Sequence, residues 1–448
     1  MTSRSPAIHR PAPSHRRALA LALALTLAGP ASARDRPDPE RLRRDVATLV
    51  SFGTRHTASS PSDRRRGIGA ARRWFAAELG RIGEGCGDCI TVANLARTFT
   101  GPRAPDGVEV IDVLGFQKGR DPKRVVIVQG HMDSRVSDVM DATSDAPGAN
   151  DNASGVALVL EAARILSREQ FDATIIYAAL SGEEQGLWGA QLLAETARER
   201  GWTVTAVLNN DIVGNTLGQD GRTVADRVRV FSEGIRAAET DTAQQLARRG
   251  DGGEDDGPSR ALAKTIDRIA EETPGGLDAM LVRRPDRFGR GGDHEPFLRL
   301  GYPAVRFSVA VENYDAQHQD LRTEGGRVYG DTIDRMDFPY LAKVTALNVA
   351  TIARLAAAPP APEGVAIEGA LATDTTVTWQ AVPAAAGYRI RWRPADRQDW
   401  TNSADVPGDA TRHVLKGLIV DDSFVAVSSL GADGAESIPT FAGRAPRR

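Results

Sequence analysis

Cysteine is nearly absent from this chain: two in 448 residues, Cys86 and Cys89, arranged as Cys-Gly-Asp-Cys. Two thiols cannot by themselves supply the four ligands of a structural zinc site. A redox Cys-x-x-Cys normally opens a helix after a strand, and that setting is missing. A small disulfide-closed loop is the favoured reading for an exported chain, with free thiols as the alternative. The sequence also has no long basic patch, and its net charge is −3. Nucleic acid is therefore not an expected partner. Beyond residue 33 no apolar stretch is long enough for a membrane helix, and no short-period repeat is visible. Histidine is scarce too. After residue 33 the chain holds only His56, His131, His294, His318 and His413.

What is present is ordinary for a globular protein: 41% hydrophobic and 26% charged residues. The length allows two or three domains. Arg4, Arg10, Arg16 and Arg17 precede an apolar run, Ala18 to Ala28, and then Ala31-Ser-Ala33. This is the pattern of a secretory signal peptide over residues 1–33. The Arg16-Arg17 pair is a weak sign of twin-arginine export and equally a normal basic start. Removing 1–33 takes away four arginines and no acid, which lowers the net charge from −3 to −7. The expected location is periplasmic or extracellular.

Residues 34–355 alternate between helical and strand-like stretches. Arg41 to Phe52 and Gly67 to Leu79 have helical spacing. Val108 to Phe116 and Arg124 to Gln129 are rich in Val and Ile, and Val125–Val128 is an unbroken apolar run suited to a strand buried on both faces. Further strands are expected at 174–180, 204–208 and 303–309. Helices are expected from Ser154, at 187–200, near 235–250, at 259–272 and at 340–356. Such alternation predicts an α/β sheet covered on both faces. Residues 356–364, rich in Ala and Pro, form a linker by composition. Beyond it, 365–448 shows period-two segments such as Tyr388–Trp392 and Ser423–Val427, which predict a small all-β sandwich.

The chemistry-bearing residues fall just after predicted strands. His131 and Asp133 follow Val125–Val128, Glu183 and Glu184 follow 174–180, and Asp211 follows 204–208. Asp151 stands where Ala149-Asn-Asp-Asn-Ala-Ser-Gly155 turns into a helix. Singly, each has a bland explanation. His-x-Asp is a surface turn, Glu-Glu a solvated pair, and Asp151 a helix cap favoured by the dipole. Together they converge on the carboxyl ends of strands, where open α/β sheets place their ligand sites. Two divalent metals bring four positive charges. Three ligating carboxylates and a bridging hydroxide return four negative ones. Histidine and carboxylate ligands suit zinc, with cobalt or manganese as alternatives.

These motifs resemble those of the M28 family of zinc aminopeptidases. The matching segments are His131-Met-Asp133, Gly148–Gly155, Ser181-Gly-Glu-Glu184, Asn209–Gly214 and Gln317-His-Gln319. The resemblance covers about residues 40–355 and implies a three-layer α/β/α domain with a mixed, mostly parallel sheet. It implies two zinc ions per chain, bridged by Asp151. His131 and Asp211 would complete one ligand set, Glu184 and His318 the other. Glu183 would be the general base acting on a metal-bridging water, then the general acid. Asp133 would accept the other N–H of His131 and fix its tautomer. The second imidazole is open between His318 and His294, because His318 is followed by Gln-Asp rather than the usual Thr. His294 lies in an Asp-His segment that in the family stands beside the site. Tyr314 could stabilise an oxyanion, although a half-buried aromatic is the plainer reading.

The C-terminal segment resembles a fibronectin type III domain. Trp379, Tyr388 and Trp392 fall at core aromatic positions, and Phe424 stands where many members have tyrosine. The expected activity is that of an exported aminopeptidase acting on peptides with a free N-terminus. A glutaminyl cyclase-like acyltransferase with one zinc, a carboxypeptidase or dipeptidase on the same scaffold, and a non-catalytic binding protein remain as alternatives. Oligomeric state is not legible.

Overall fold

The computed structural model describes residues 36–445 except Pro274. The expected signal peptide lies outside the described residues. The first helix, α1 (Pro39–Ser51), starts where the Asp38 side chain accepts the Glu40 N–H and proline opens the first turn. Its buried stripe is Leu42, Val46 and Leu49. The other helices are α2 (Ile68–Gly85), α3 (Ser154–Leu166), α4 (Glu183–Gly186), α5 (Trp188–Glu199), α6 (Thr242–Asp251), α7 (Pro258–Glu271), α8 (Glu295–Arg299) and α9 (Phe338–Ala357). The helix expected near 235–250 starts only at Thr242, because Asp241 caps it by accepting the Ala243 N–H. Cys86 and Cys89 are joined in a disulfide just after α2.

The main sheet contains β1 (Ile90–Gly101), β2 (Ala104–Gln117), β3 (Asp121–His131), β4 (Ala173–Leu180), β5 (Thr203–Asn210), β6 (Arg227–Phe231), β7 (Asp278–Val282) and β8 (Ala304–Val309). Its order is β1-β2-β4-β3-β5-β8-β6-β7. The centre, β4-β3-β5-β8, is parallel, while β1, β2 and β6 bring antiparallel pairings. The unbroken apolar run of β3 serves both faces. Val126 and Val128 pack with α1, α2, α3, α7 and α9, whereas Val125 and Ile127 pack with α5 and α8. This is the expected three-layer arrangement. No helix among the described residues is long and apolar enough to cross a membrane.

After an exposed hairpin of β9 (Arg322–Glu324) and β10 (Arg327–Tyr329), α9 leads to two further four-stranded sheets. They comprise β11 (Ala366–Glu368), β12 (Thr375–Thr378), β13 (Gly387–Pro394), β14 (Asn402–Pro407), β15 (Arg412–Leu415), β16 (Ser423–Leu430), β17 (Thr440–Phe441) and β18 (Gly443–Arg444). Val377, Trp379, Tyr388, Ile390, Val425 and Val427 share one apolar cluster. The Tyr388 hydroxyl accepts the Val382 N–H at 2.7 Å. Phe424 faces elsewhere: its ring packs on Phe441 and lies 4.6 Å from the Arg393 guanidinium. A Cβ on Gly252 would come within 2.7 Å of the Phe424 ring, and its φ of +71° is also one that glycine tolerates best.

These sheets are fastened to the α/β layer by charge. Arg393 pairs with Asp256, both side chains only 1% exposed. Glu436 accepts hydrogen bonds from Arg391 and Ser428, and lies 3.4 Å from Arg268 of α7. A cavity of about 1000 Å³ lies along this seam, lined in part by Arg124, Thr203 and Pro303. Those residues sit at the amino ends of β3, β5 and β8, roughly 23 Å along β3 from His131.

Arg393→Ala removes one of two cations on the buried Asp256 and leaves it Lys264, at 2.8 Å. The expected cost is about 1.5–3 kcal/mol, read by chemical unfolding and by faster proteolysis near 357–364. Glu436 yields a pH prediction. Burial alone would raise its carboxyl, but Arg391 and Arg268 hold it down at about 2. Its folded value lies below its unfolded one, so its stabilisation is present above about pH 4.5 and is lost as pH falls toward 2. The stability gap between the wild type and Glu436→Gln should shrink below pH 4.5.

Candidate metal centre

Strands β3, β4 and β5 are parallel neighbours, so their carboxyl ends share one edge. β3 ends on His131, β4 leads through Ser181-Gly182 into Glu183 and Glu184, and β5 ends one residue before Asp211. Asp151 lies in the turn Ala149–Ala153 ahead of α3. That turn is pressed against the end of β5: a Cβ on Gly155 would fall 2.2 Å from the Asn210 carbonyl oxygen.

The turn is stitched in place by polar bonds. The Asp331 carboxylate accepts the N–H groups of Asn150 at 2.9 Å and Asp151 at 2.7 Å. Asn150 Oδ1 accepts the Gly214 N–H, and Asn152 Nδ2 donates to the Asn210 carbonyl, both at 2.8 Å. Burial pushes Asp331 up to about 7, against the two N–H donors and Arg55.

Six predicted residues come together here. One ligand atom each from His131, Glu183 and Asp211 lies within 4.8 Å of the others, and so do atoms of Asp151, Glu184 and His318. Asp151 faces both groups. Its Oδ1 is 3.2 Å from His131 Nε2, and its Oδ2 is 3.0 Å from His318 Nε2. Glu184 Oε1 also stands 3.0 Å from His318 Nε2. His294, the other candidate imidazole, is placed apart: it is fully buried, with Nε2 2.7 Å from the Pro285 carbonyl oxygen. His56 is buried, and its Nε2 lies 3.0 Å from the Val139 carbonyl oxygen. His413 belongs to β15. Tyr314 is 58% exposed, which is more than the half-buried aromatic expected.

Asp133 differs from its expected contact. His131 Nδ1 is 3.0 Å from the backbone carbonyl of Asp133, while the carboxylate is farther, at 3.6 Å. That carboxylate instead accepts the Glu184 N–H and the Thr57 hydroxyl, each at 3.1 Å. It therefore holds the Glu183-Glu184 turn as well as flanking the imidazole.

Three arginines complete the surroundings, and sequence patterning did not single them out. Arg55 is fully buried and donates to the carbonyls of Met132 at 2.8 Å, Pro147 at 2.6 Å and Gly148 at 2.9 Å, tying the end of β3 to the Asp151 turn. Arg135 Nε donates to Glu184 Oε2 at 2.8 Å, and its Nη2 is 2.6 Å from His318 Nδ1. Arg306, fully buried on β8, pairs with Asp211 at 3.1 Å and Asp286 at 3.0 Å. A lone charge inside the apolar run Ala304–Val309 was the available signal for Arg306.

The cluster attracts positive charge. Burial lowers the basicity of His318, yet Glu184 and Asp151 push it up to about 10. His131 is raised in the same way: burial is outweighed by Glu183, Asp133, Asp151 and Asp211. Glu183 is held well above the usual carboxylate range by burial, with Glu184, Asp211 and Asp293 adding to the effect and His131 opposing it. Glu184 Oε1 and Asp211 Oδ1 are buried and make no hydrogen bond among the described residues. Unsatisfied carboxylate oxygens facing imidazole nitrogens fit divalent cations of the zinc type.

The sequence model of Peptidase family M28 matches residues 112–352. The chain belongs to this family. A probable zinc metalloprotease of Leptosphaeria maculans is 43% identical to this M28 peptidase over 400 residues, covering 88% of this chain and 91% of the relative. Another, from Pyricularia oryzae, is 40% identical over 415 residues, covering 90% and 82%. The protein is accordingly a zinc-dependent metallopeptidase, a hydrolase of peptides. Among solved structures, LapB from Legionella pneumophila matches with a TM-score of 0.51 and 16% identity, covering 71% of this chain and 72% of that one. The aminopeptidase from Aneurinibacillus sp. strain AM-1 matches with 0.51 and 14%, covering 72% and 95%. At such identities the likeness is one of fold.

Arg306→Met would strip the buried Asp211 of its guanidinium and leave Asp286 with Arg287 as its remaining one. It should cost about 3–5 kcal/mol in the metal-free protein. Added zinc should recover more of that loss in the variant than in the wild type, as shown by thermal unfolding with and without chelator.

Proposed function

We propose that this M28 peptidase is an exported aminopeptidase with two zinc ions. His131 and Asp211 would hold one, Glu184 and His318 the other, with Asp151 shared. The observation that carries this reading is Asp151 itself, whose two carboxylate oxygens each face a different imidazole, at 3.2 and 3.0 Å. When bound, the zinc ions supply polarisation of the scissile carbonyl and acidification of water. Glu183 takes the proton from the attacking water and passes it to the leaving amine. Asp133 orients Glu184 and His131, and Asp331 fixes the backbone of Asp151. The substrate is a peptide with a free N-terminus.

The proposed chain plan is a signal peptide over 1–33, a peptidase domain over 34–355, a linker over 356–364 and a fibronectin type III-like sandwich over 365–448. The two four-stranded sheets and the buried Trp379 and Tyr388 support the last assignment. Export rests on the sequence of residues 1–33.

Two measurements test the function. Glu183→Gln should lose about 10²–10⁴ in kcat on an aminoacyl-p-nitroanilide with zinc content unchanged. Unaltered activity would remove Glu183 from its role. Metal analysis of the active protein should give two zinc ions per chain, whereas one, together with cyclisation of N-terminal glutamine, would establish the glutaminyl cyclase alternative. N-acetylated peptides should resist cleavage.

A further inference from the structure

One wall of the centre is a chain of charged contacts that begins and ends on the centre's own residues. Asp211 pairs with Arg306, and Arg306 with Asp286. Asp286 Oδ1 accepts from Arg287 Nε at 2.9 Å. Arg287 Nη1 lies 3.5 Å from Glu312 Oε2, which Arg290 Nη1 also meets at 3.2 Å. Arg290 Nη1 then donates to Gln317 Oε1 at 3.1 Å, and Gln317 precedes His318. Arg229 is a further guanidinium on Glu312.

The charges along this wall do not cancel. Four guanidiniums, of Arg229, Arg287, Arg290 and Arg306, face three carboxylates, of Asp211, Asp286 and Glu312. Only two carboxylates remain for them if Asp211 is committed to a metal. The surplus surfaces at one place. The side chains of Arg306, Arg287 and Arg229 are 0%, 10% and 18% exposed, while that of Arg290 is 31% exposed. Among the described residues, the bonds of Arg290 all run through Nη1, which leaves Nε and Nη2 as free donors. A guanidinium with spare donors on one edge matches a carboxylate in a two-point contact.

We propose that Arg290 recognises a carboxylate of the peptide substrate, on an acidic side chain or a free C-terminus near the scissile bond. This deepens the aminopeptidase reading and rests on it for the position of the scissile bond. The chemistry required is a single carboxylate close to His318, and the two sources of that carboxylate are separated by experiment.

The zinc-loaded, full-length protein is assayed with Leu-Ala amide, Leu-Ala with a free carboxylate, and Leu-Glu amide. At least one carboxylate peptide should exceed the neutral amide in kcat/KM by about ten- to a hundred-fold, as expected for a charge-assisted contact. Whichever peptide shows it identifies the source. Arg290→Gln should bring that ratio close to one, and Arg290→Lys should retain part of it. Arg284→Gln removes an exposed arginine of the same loop, whose guanidinium stacks on Phe288, and should keep the wild-type ratio. Equal kcat/KM for all three peptides, or an equal loss in Arg284→Gln, overturns the inference and leaves the aminopeptidase reading standing. Glutarate binding, measured by calorimetry, is the readout that needs no turnover. If no peptide is cleaved, the aminopeptidase reading falls. At least tenfold weaker glutarate binding to Arg290→Gln then upholds the carboxylate site, and equal binding overturns it.

Discussion

Crowding of like charge is the constraint on which the rest of this structure depends. Asp133, Asp151, Glu184 and Asp211 are buried, and the partly buried Glu183 is drawn into the same region. Two unit charges 4 Å apart interact by about 4 kcal/mol at an effective dielectric of 20, so five carboxylates repel strongly unless positive charge is supplied. Imidazoles, guanidiniums and the family's zinc supply it. The arginines divide the task by position. Arg306 answers Asp211 from beneath, and Arg135 reaches Glu184 from the side. Among the described residues the Arg55 guanidinium meets backbone carbonyls and no carboxylate.

Charge compensation alone would leave the acids free to splay apart. Hydrogen bonds prevent this by fixing backbone rather than side chains. Asp331 holds the Asp151 turn, Asn150 and Asn152 join that turn to the end of β5, and the Asp133 carboxylate grips the start of α4. The β-sheet sets the spacing between strand ends, and these bonds set the loops that rise from them. The geometry is thus inherited from the parallel core of the sheet and refined within a few residues of each strand end.

Much of this was legible in the sequence for one reason: every acid of the centre except Asp151, which precedes a helix, follows an apolar run. Val125–Val128 marks β3, so His131 and Asp133 could be put at its carboxyl end. The same reasoning located Glu183, Glu184 and Asp211. His318 was harder, because it stands in a loop with a φ of +51°, well past Val309 where β8 ends. β1 carries a weak signal, since its Thr, Asn and Arg positions suit an edge strand that forms by pairing with β2. The arginines were missed because arginine is usually a surface residue, and their meaning emerges only when separate loops meet. The Asp133 contact was seen only in part, since sequence spacing does not reveal whether a carbonyl or a carboxylate takes the imidazole proton.

The disulfide between Cys86 and Cys89 looks like a local staple at the end of α2. Its wider effect concerns competition. Thiolate is the ligand with which zinc forms some of its most stable protein sites. A chain with only two cysteines, both consumed in one bond, offers no thiolate that could draw the ion elsewhere once that bond has formed. Metallation is left to imidazole and carboxylate, and those donors converge only once the strands are in register. Oxidation of one small turn thereby ties correct loading of the metal to completion of the fold.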